Sequence, residues 1–142
     1  MTAGFDISED SPQTASPAAR RETLETRPNP QTSLDYLIAI DAPAAPERAI
    51  QLRYVPDKLL LLPDAFETYL AALMASGETP VEEMALAIIE DINNEVVPRW
   101  VQVQIENGVN GPDPTSSTYR VVIEDRQPNW DNPQIIARPS NR

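Results

Sequence analysis

The sequence predicts an α+β domain in which one four-stranded antiparallel sheet carries two helices on one face, in the order β-β-α-α-β-β. Three observations carry this. Apolar residues alternate with polar ones in two stretches before residue 56 and two after residue 98, the period of a strand, and between them recur every three to four residues, the period of a helix. Pro, Gly and polar clusters mark the boundaries of these stretches. A chain of 142 residues is long enough for one domain with its own core.

Leu34 to Asp41 reads as the first strand and "RAIQLRYV", Arg48 to Val55, as the second, with Ile50, Leu52 and Tyr54 on one face and Gln51 and Arg53 on the other. "APAAPE" between them reads as a linker too long for a tight hairpin turn. In "PDAFETYLAALMASG", Phe66, Tyr69, Leu70, Leu73 and Met74 recur at helical spacing and Gly77 supplies the stop. The second helix starts with Thr79 as N-cap, Pro80 at the first position and Glu82 completing a capping box. Its buried stripe is Val81, Met84, Ala85, Ile88, Ile89, Ile92 and Val96, and Pro98 ends it. "RWVQVQIE" (Arg99 to Glu106) and "TYRVVIED" (Thr118 to Asp125) are the last two strands, joined by a Gly- and Pro-rich loop in which "GVNG" reads as a turn. Trp100 and Tyr119 open these strands and are expected to seal the sheet ends.

The organisation is an arm, a domain and a tail. Residues 1–30 hold Pro12, Pro17, Pro28 and Pro30 among small polar and charged residues, which predicts a disordered arm. Residues 31–126 form the domain and 127–142 a C-terminal tail, where Trp130, Ile135 and Ile136 could dock onto the body or a partner subunit. The outer face of the sheet presents Gln51, Arg53, Gln102, Gln104 and Arg120. An open edge strand invites pairing, so a homo-oligomer closed through sheet edges is expected.

Composition removes several chemistries. There is no cysteine and no histidine, so thiol nucleophiles, thiolate metal sites and imidazole acid–base work are excluded, and carboxylates, Tyr or Lys must serve instead. The formal net charge of −11 disfavours nucleic acid and anionic membrane surfaces as partners. The arm carries five acids and three bases, so −9 of that charge belongs to the rest of the chain. No apolar run reaches the roughly 20 residues of a membrane span, and "MTAGFDISED" lacks the blocks of a signal peptide, so a cytoplasmic location is expected. Glu82, Glu83, Glu90, Asp91 and Glu95 lie along one helix opposite its apolar stripe, which reads as a solvated face and not a metal site.

The order of elements resembles the tunnelling fold (T-fold), whose subunits pair their sheets into a closed barrel and bind purine- or pterin-like rings at subunit interfaces. Within it, residues from about Gln31 to Val103 resemble the QueF-like branch, the 7-cyano-7-deazaguanine (nitrile) reductases of queuosine biosynthesis. "TSLDYL" resembles that family's Thr-Ser-Leu-Cys-Pro segment. "LRYVPDKLLLLPDAFETYL" resembles its Tyr-Ile-Pro-Asp-Lys strand exit and following helix, and "PVEEMALAIIEDINNEVVPRWVQV" its His-Glu-Asp helix with Asp-Pro-Arg-Tyr and a strand.

The resemblance implies a thioimide formed by cysteine attack on the nitrile and reduced by NADPH in two hydride steps. Asp35 occupies the family cysteine position, and a carboxylate is a poor nucleophile towards a nitrile. Val81 matches the family histidine, "LPDAFE" is acidic where the family's cofactor segment is basic, and its Pro-Arg-Gly-Gly turn is not visible in "IENGVNGPDP". Glu82 matches the glutamate that grips the guanine-like edge of the substrate, a role that stands beside its capping reading. Glu47, after Pro46, corresponds to the family's aspartate general acid.

The sequence thus implies a non-reducing relative, structural or binding a purine- or deazapurine-like heterocycle at a subunit interface through Glu82 and Glu47, with no cofactor, no metal and no catalytic residue. The alternative is a T-fold enzyme or partner subunit in the NADPH-dependent 7-cyano-7-deazaguanine reductase pathway, and NADPH belongs to that alternative alone. An adaptor using the acidic surface and Pro-rich arm is a third reading.

Overall fold

The computed structural model describes residues 16–45, 47–75, 77, 79–108 and 117–137. A short helix α1 (Pro17–Arg21) and strand β1 (Thr26–Pro28) lead into β2 (Ile38–Ala45), β3 (Arg48–Val55) and β4 (Leu59–Leu61). Helices α2 (Pro63–Leu73) and α3 (Val81–Glu95) follow, then β5 (Trp100–Asn107), β6 (Tyr119–Arg126) and a short α4 (Pro133–Ile136). The main sheet runs β2-β3-β5-β6, every pair antiparallel, and β1 pairs with β4 in a small second sheet. This is the α+β T-fold unit, with its two long helices on the sheet.

The core forms where the two periods meet. Ile50, Leu52 and Tyr54 of β3 and Val101, Val103 and Ile105 of β5 point to one face because alternate strand residues do. Phe66, Tyr69 and Leu70 of α2 and Met84, Ile88 and Ile92 of α3 close over them, all buried. Phe66 and Tyr69 stack with ring centroids 6.1 Å apart. The Tyr54 hydroxyl, carried into this core, accepts the Leu61 N–H at 2.9 Å and so pins β4 to β3.

Several expectations are corrected. "APAAPE" is not a linker: Ala42 to Ala45 continue β2 and Ala45 already pairs with Arg48. Pro43 is tolerated there because β2 is an edge strand, with a register irregularity between Pro43 and Ala45 absorbing the proline. The first strand accordingly begins at Ile38 and not at Leu34.

The capping box does not form. Pro80 takes the N-cap position in extended geometry, with ψ 147°, so the helix begins at Val81 and no side chain caps it. Tyr119 opens β6 but remains half exposed, whereas Trp100 is buried as expected.

Residues 16–30, predicted to be part of a disordered arm, carry α1 and β1 and pack on the domain, and residues 1–15 of that arm lie outside the described residues. Leu24 joins the core, and β1 pairs with β4 through Thr26, Arg27 and Pro28. Arg20 Nε donates to Asp91 Oδ2 at 2.7 Å, and Tyr69 donates its hydroxyl to the same oxygen at 2.5 Å. Arg21 Nη1 lies 3.7 Å from Asp91 Oδ1. Asp91 is therefore fully buried and not part of a solvated face. At about 100° per residue the helical period sets Asp91 beside Met84 and Ile88 at the rim of the apolar stripe and not beside Glu90, and the arm that covers it lies 71 residues away in sequence. The "GVNG" turn falls largely outside the described residues.

Candidate functional site

The three stretches that carry the family resemblance converge at one end of the sheet. Val55 pairs with Trp100 and Trp100 with Arg126, so the exits of β3 and β6 and the entrance of β5 meet there. Arg99, immediately before β5, is the hub. Its Nη1 donates to Asp35 Oδ1 at 2.9 Å and to the Leu34 carbonyl at 3.1 Å, and its Nη2 to the Thr32 carbonyl at 2.5 Å and Asp57 Oδ1 at 3.2 Å. The planar guanidinium fork suits this many fixed acceptors where a lysine would not.

The tail completes the cluster. Asn129 takes a left-handed turn with φ +65°, returning the chain so that Trp130 Nε1 and Asn132 Nδ2 donate to Asp35 Oδ2 at 3.2 and 3.0 Å. Gln127 Nε2 donates to Asp57 Oδ2 at 3.2 Å. Partial burial opposes ionisation of Asp35, but the hydrogen bonds from Asn132, Arg99 and Trp130 and the Arg99 charge together outweigh it and hold the carboxyl below its ordinary range. A carboxylate with three donors on its two oxygens is a weak base and a weaker nucleophile. Its chemistry here is to tie the residues before β2, Arg99 and the tail into one knot.

Glu82 and Glu47 sit at the other end. Arg48 opens β3 opposite Asn107, the last residue of β5, and Tyr119 opens β6 opposite the same residue. Arg48 Nε donates to Asn107 Oδ1 at 3.0 Å and its Nη1 to the Thr79 carbonyl at 2.8 Å, fastening the entrance of α3 to this end of the sheet. Glu82, on the exposed first turn of α3, accepts a hydrogen bond from the Tyr119 hydroxyl. That bond, then one from its own backbone N–H, keeps the carboxyl below its ordinary range despite a small opposing effect of burial. Glu47 is exposed in the β2–β3 turn, and its carbonyl accepts the Gly108 N–H at 2.7 Å. Gly108 has φ +96°, and a Cβ there would meet the Ser117 carbonyl oxygen at 3.2 Å, so this close approach requires glycine.

The structure thus brings Glu47 and Glu82 to one end and leaves Asp35 at the other. The seven steps of β5 between Trp100 and Asn107 put about 23 Å between them at about 3.3 Å per residue. One small molecule cannot touch both acids within one subunit. Sequence reasoning missed Tyr119, Arg48 and Asn132 as partners of these acids; polar residues at strand and helix ends were the available signal, with nothing local to say what they meet.

The segment expected to hold a dinucleotide phosphate does not fit one. The segment matching the family's basic cofactor region opens α2 with Asp64 and Glu67 exposed, like charges for a polyanion. Among the described residues, Arg20, Arg21, Arg99, Arg120 and Arg126 are each committed to carboxylates. No group of three or more metal-ligating side chains occurs among the described residues, and none of their helices is long and apolar enough to cross a membrane.

No family model matches the chain. It is similar over 73% to 87% of its length to individual proteins, each an NADPH-dependent 7-cyano-7-deazaguanine reductase. That of Nitrosococcus oceani is 30% identical over 133 residues, covering 87% of this chain and 99% of the relative. That of an Anaeromyxobacter species is 31% identical over 114 residues, 73% of this chain and 93% of the relative. That of Acidithiobacillus ferrooxidans is 27% identical over 132 residues, 86% and 90% of the two chains. With the T-fold unit in place and a relative matched from end to end, the chain belongs to the NADPH-dependent 7-cyano-7-deazaguanine reductase family.

Proposed function

We propose that this chain is a non-reducing member of its family, a homo-oligomeric T-fold protein that binds a purine- or deazapurine-like heterocycle at a subunit interface without converting it. The observation that carries this reading is the absence of cysteine from the chain combined with Glu82 held by the Tyr119 hydroxyl at the helix entrance. Without a thiolate the thioimide cannot form, and Asp35, the position matched to the nucleophile, has both oxygens occupied by Arg99, Trp130 and Asn132. A carboxylate such as Glu82 can still accept two N–H bonds from an aminopyrimidinone edge.

Glu47 shares the Glu82 end and is exposed in the hairpin turn, and this reading takes it as the second contact to the ring. β2 and β6 each lack a second neighbour among the described residues, which suits closure of the sheet by further copies. The cytoplasm is the expected compartment.

The test is direct. NADPH oxidation with 7-cyano-7-deazaguanine is expected to give no turnover, whereas calorimetry with the same compound is expected to give binding that Glu82→Gln abolishes. Turnover that disappears in Asp35→Ala would overturn the proposal.

A further inference from the structure

Glu82 stands on an exposed helical turn, where a glutamate ordinarily samples several rotamers and loses that freedom when it grips a ligand. Here the carboxylate is held before any ligand arrives, because the Tyr119 hydroxyl donates to Oε2. Tyr119 is in turn placed by its ladder partner Asn107. Arg48, 7% exposed, grips the Asn107 side chain with Nε and the Thr79 carbonyl, three residues before Glu82, with Nη1. One buried guanidinium thus fixes both the strand end that carries the hydroxyl and the helix entrance that carries the acid.

We infer that Tyr119 is a positioning residue for the Glu82 carboxylate, with Arg48 as the brace that sets the pair, so that Glu82 presents two free acceptor directions to a ligand edge bearing two N–H donors. The inference deepens the heterocycle-binding reading above and rests on it. The count follows from the chemistry: a carboxylate offers about four lone-pair directions. Tyr119 takes one of them, on Oε2. One free direction on each oxygen then matches the paired N–H groups of an aminopyrimidinone and mismatches adenine, whose corresponding edge mixes a donor with an acceptor.

Calorimetry of the full chain with 7-cyano-7-deazaguanine as probe and adenine as control, followed from pH 8 down to pH 4, tests this. Wild-type protein is expected to bind the probe and not adenine. Tyr119→Phe is expected to weaken binding about fivefold at pH 7, the cost of ordering one freed side chain on binding. Because the Tyr119 hydrogen bond keeps Glu82 ionised, the variant is also expected to lose binding at a higher pH than wild type as acid is added. A merely structural tyrosine would leave that acid limb in place.

Arg48→Lys combined with Tyr119→Phe is expected to lose less than the product of the two single losses, since both act on one carboxylate. Thermal denaturation of each variant confirms folding. Identical acid limbs in wild type and Tyr119→Phe would overturn the positioning role and leave the heterocycle reading standing. Losses that simply multiply would remove Arg48 from the mechanism. Failure of wild-type protein to bind the probe would overturn both readings.

Discussion

Replacing Arg20 with methionine tests the docking of the arm on the domain. Methionine keeps much of the aliphatic stem and removes the charge. Asp91 is fully buried and takes Arg20 Nε at 2.7 Å and the Tyr69 hydroxyl at 2.5 Å on one oxygen, with Arg21 at 3.7 Å from the other. Removing one partner of a buried pair costs about 3–5 kcal/mol, because the remaining charge is stranded. The Arg20 side chain is 17% exposed and Arg21 remains nearby, which lowers the expectation to about 2.5 kcal/mol.

For a chain of this length that corresponds to a melting temperature lower by roughly 8–10 °C. Urea unfolding followed by circular dichroism measures the loss. The cycle with Asp91→Asn is expected to return a coupling of about 2 kcal/mol, since Arg20 has little to hold once the charge is gone. A loss under 0.5 kcal/mol in Arg20→Met would refute the reasoning and detach α1 from the domain.

Tyr69 is pushed well above its ordinary range, by burial first and then by its hydrogen bond to Asp91. A raised folded value contributes stability that is fully present below the unfolded value near 10 and is lost as pH rises above it. Wild type is therefore expected to lose melting temperature from about pH 10 upward, and Tyr69→Phe to flatten that alkaline limb. Asp35 is shifted in the opposite direction, so its contribution is present above the unfolded value near 4 and disappears as pH falls below it. Asp35→Asn should cost about 1 kcal/mol at pH 7 and less at pH 3, read from denaturant midpoints at both values; an equal cost at both would deny the ionic knot with Arg99. Val97 adopts φ +51° at the end of α3, a left-handed conformation unfavourable for a β-branched side chain, and is half exposed. Val97→Gly is expected to raise stability by about 0.5–1 kcal/mol, since it relieves about 1–2 kcal/mol of strain against a smaller unfolded-state entropy loss; a lower melting temperature would contradict this.

The candidate site was legible as residue types but not as a place. Asp35, Glu47 and Glu82 could be picked from the chain as acids at element boundaries, yet their grouping depends on which strand ends meet. The antiparallel register pairs Arg48 with Asn107 and Val55 with Trp100, sending Glu47 and Glu82 to one end and Asp35 to the other. That register is fixed by β3 and β5, about 50 residues apart in sequence, and no local pattern reports it.

By itself the sequence determined the two long helices and the inner strands, since the 3.6- and 2-residue periods of Met84 to Ile92, Ile50 to Tyr54 and Val101 to Ile105 are local and one face of each must be buried. It also determined the loss of thiol chemistry, which is a matter of composition. Tertiary structure decided the cases where the partner is distant. Pro43 lies in a strand because β2 is an edge that needs hydrogen bonds on one side only. Asp91 is buried because Arg20 arrives to neutralise it, and the Asp35 carboxylate is saturated because the tail folds back onto it. In each case the residue's own neighbours leave the outcome open, and the free energy that settles it comes from a group brought in by the fold.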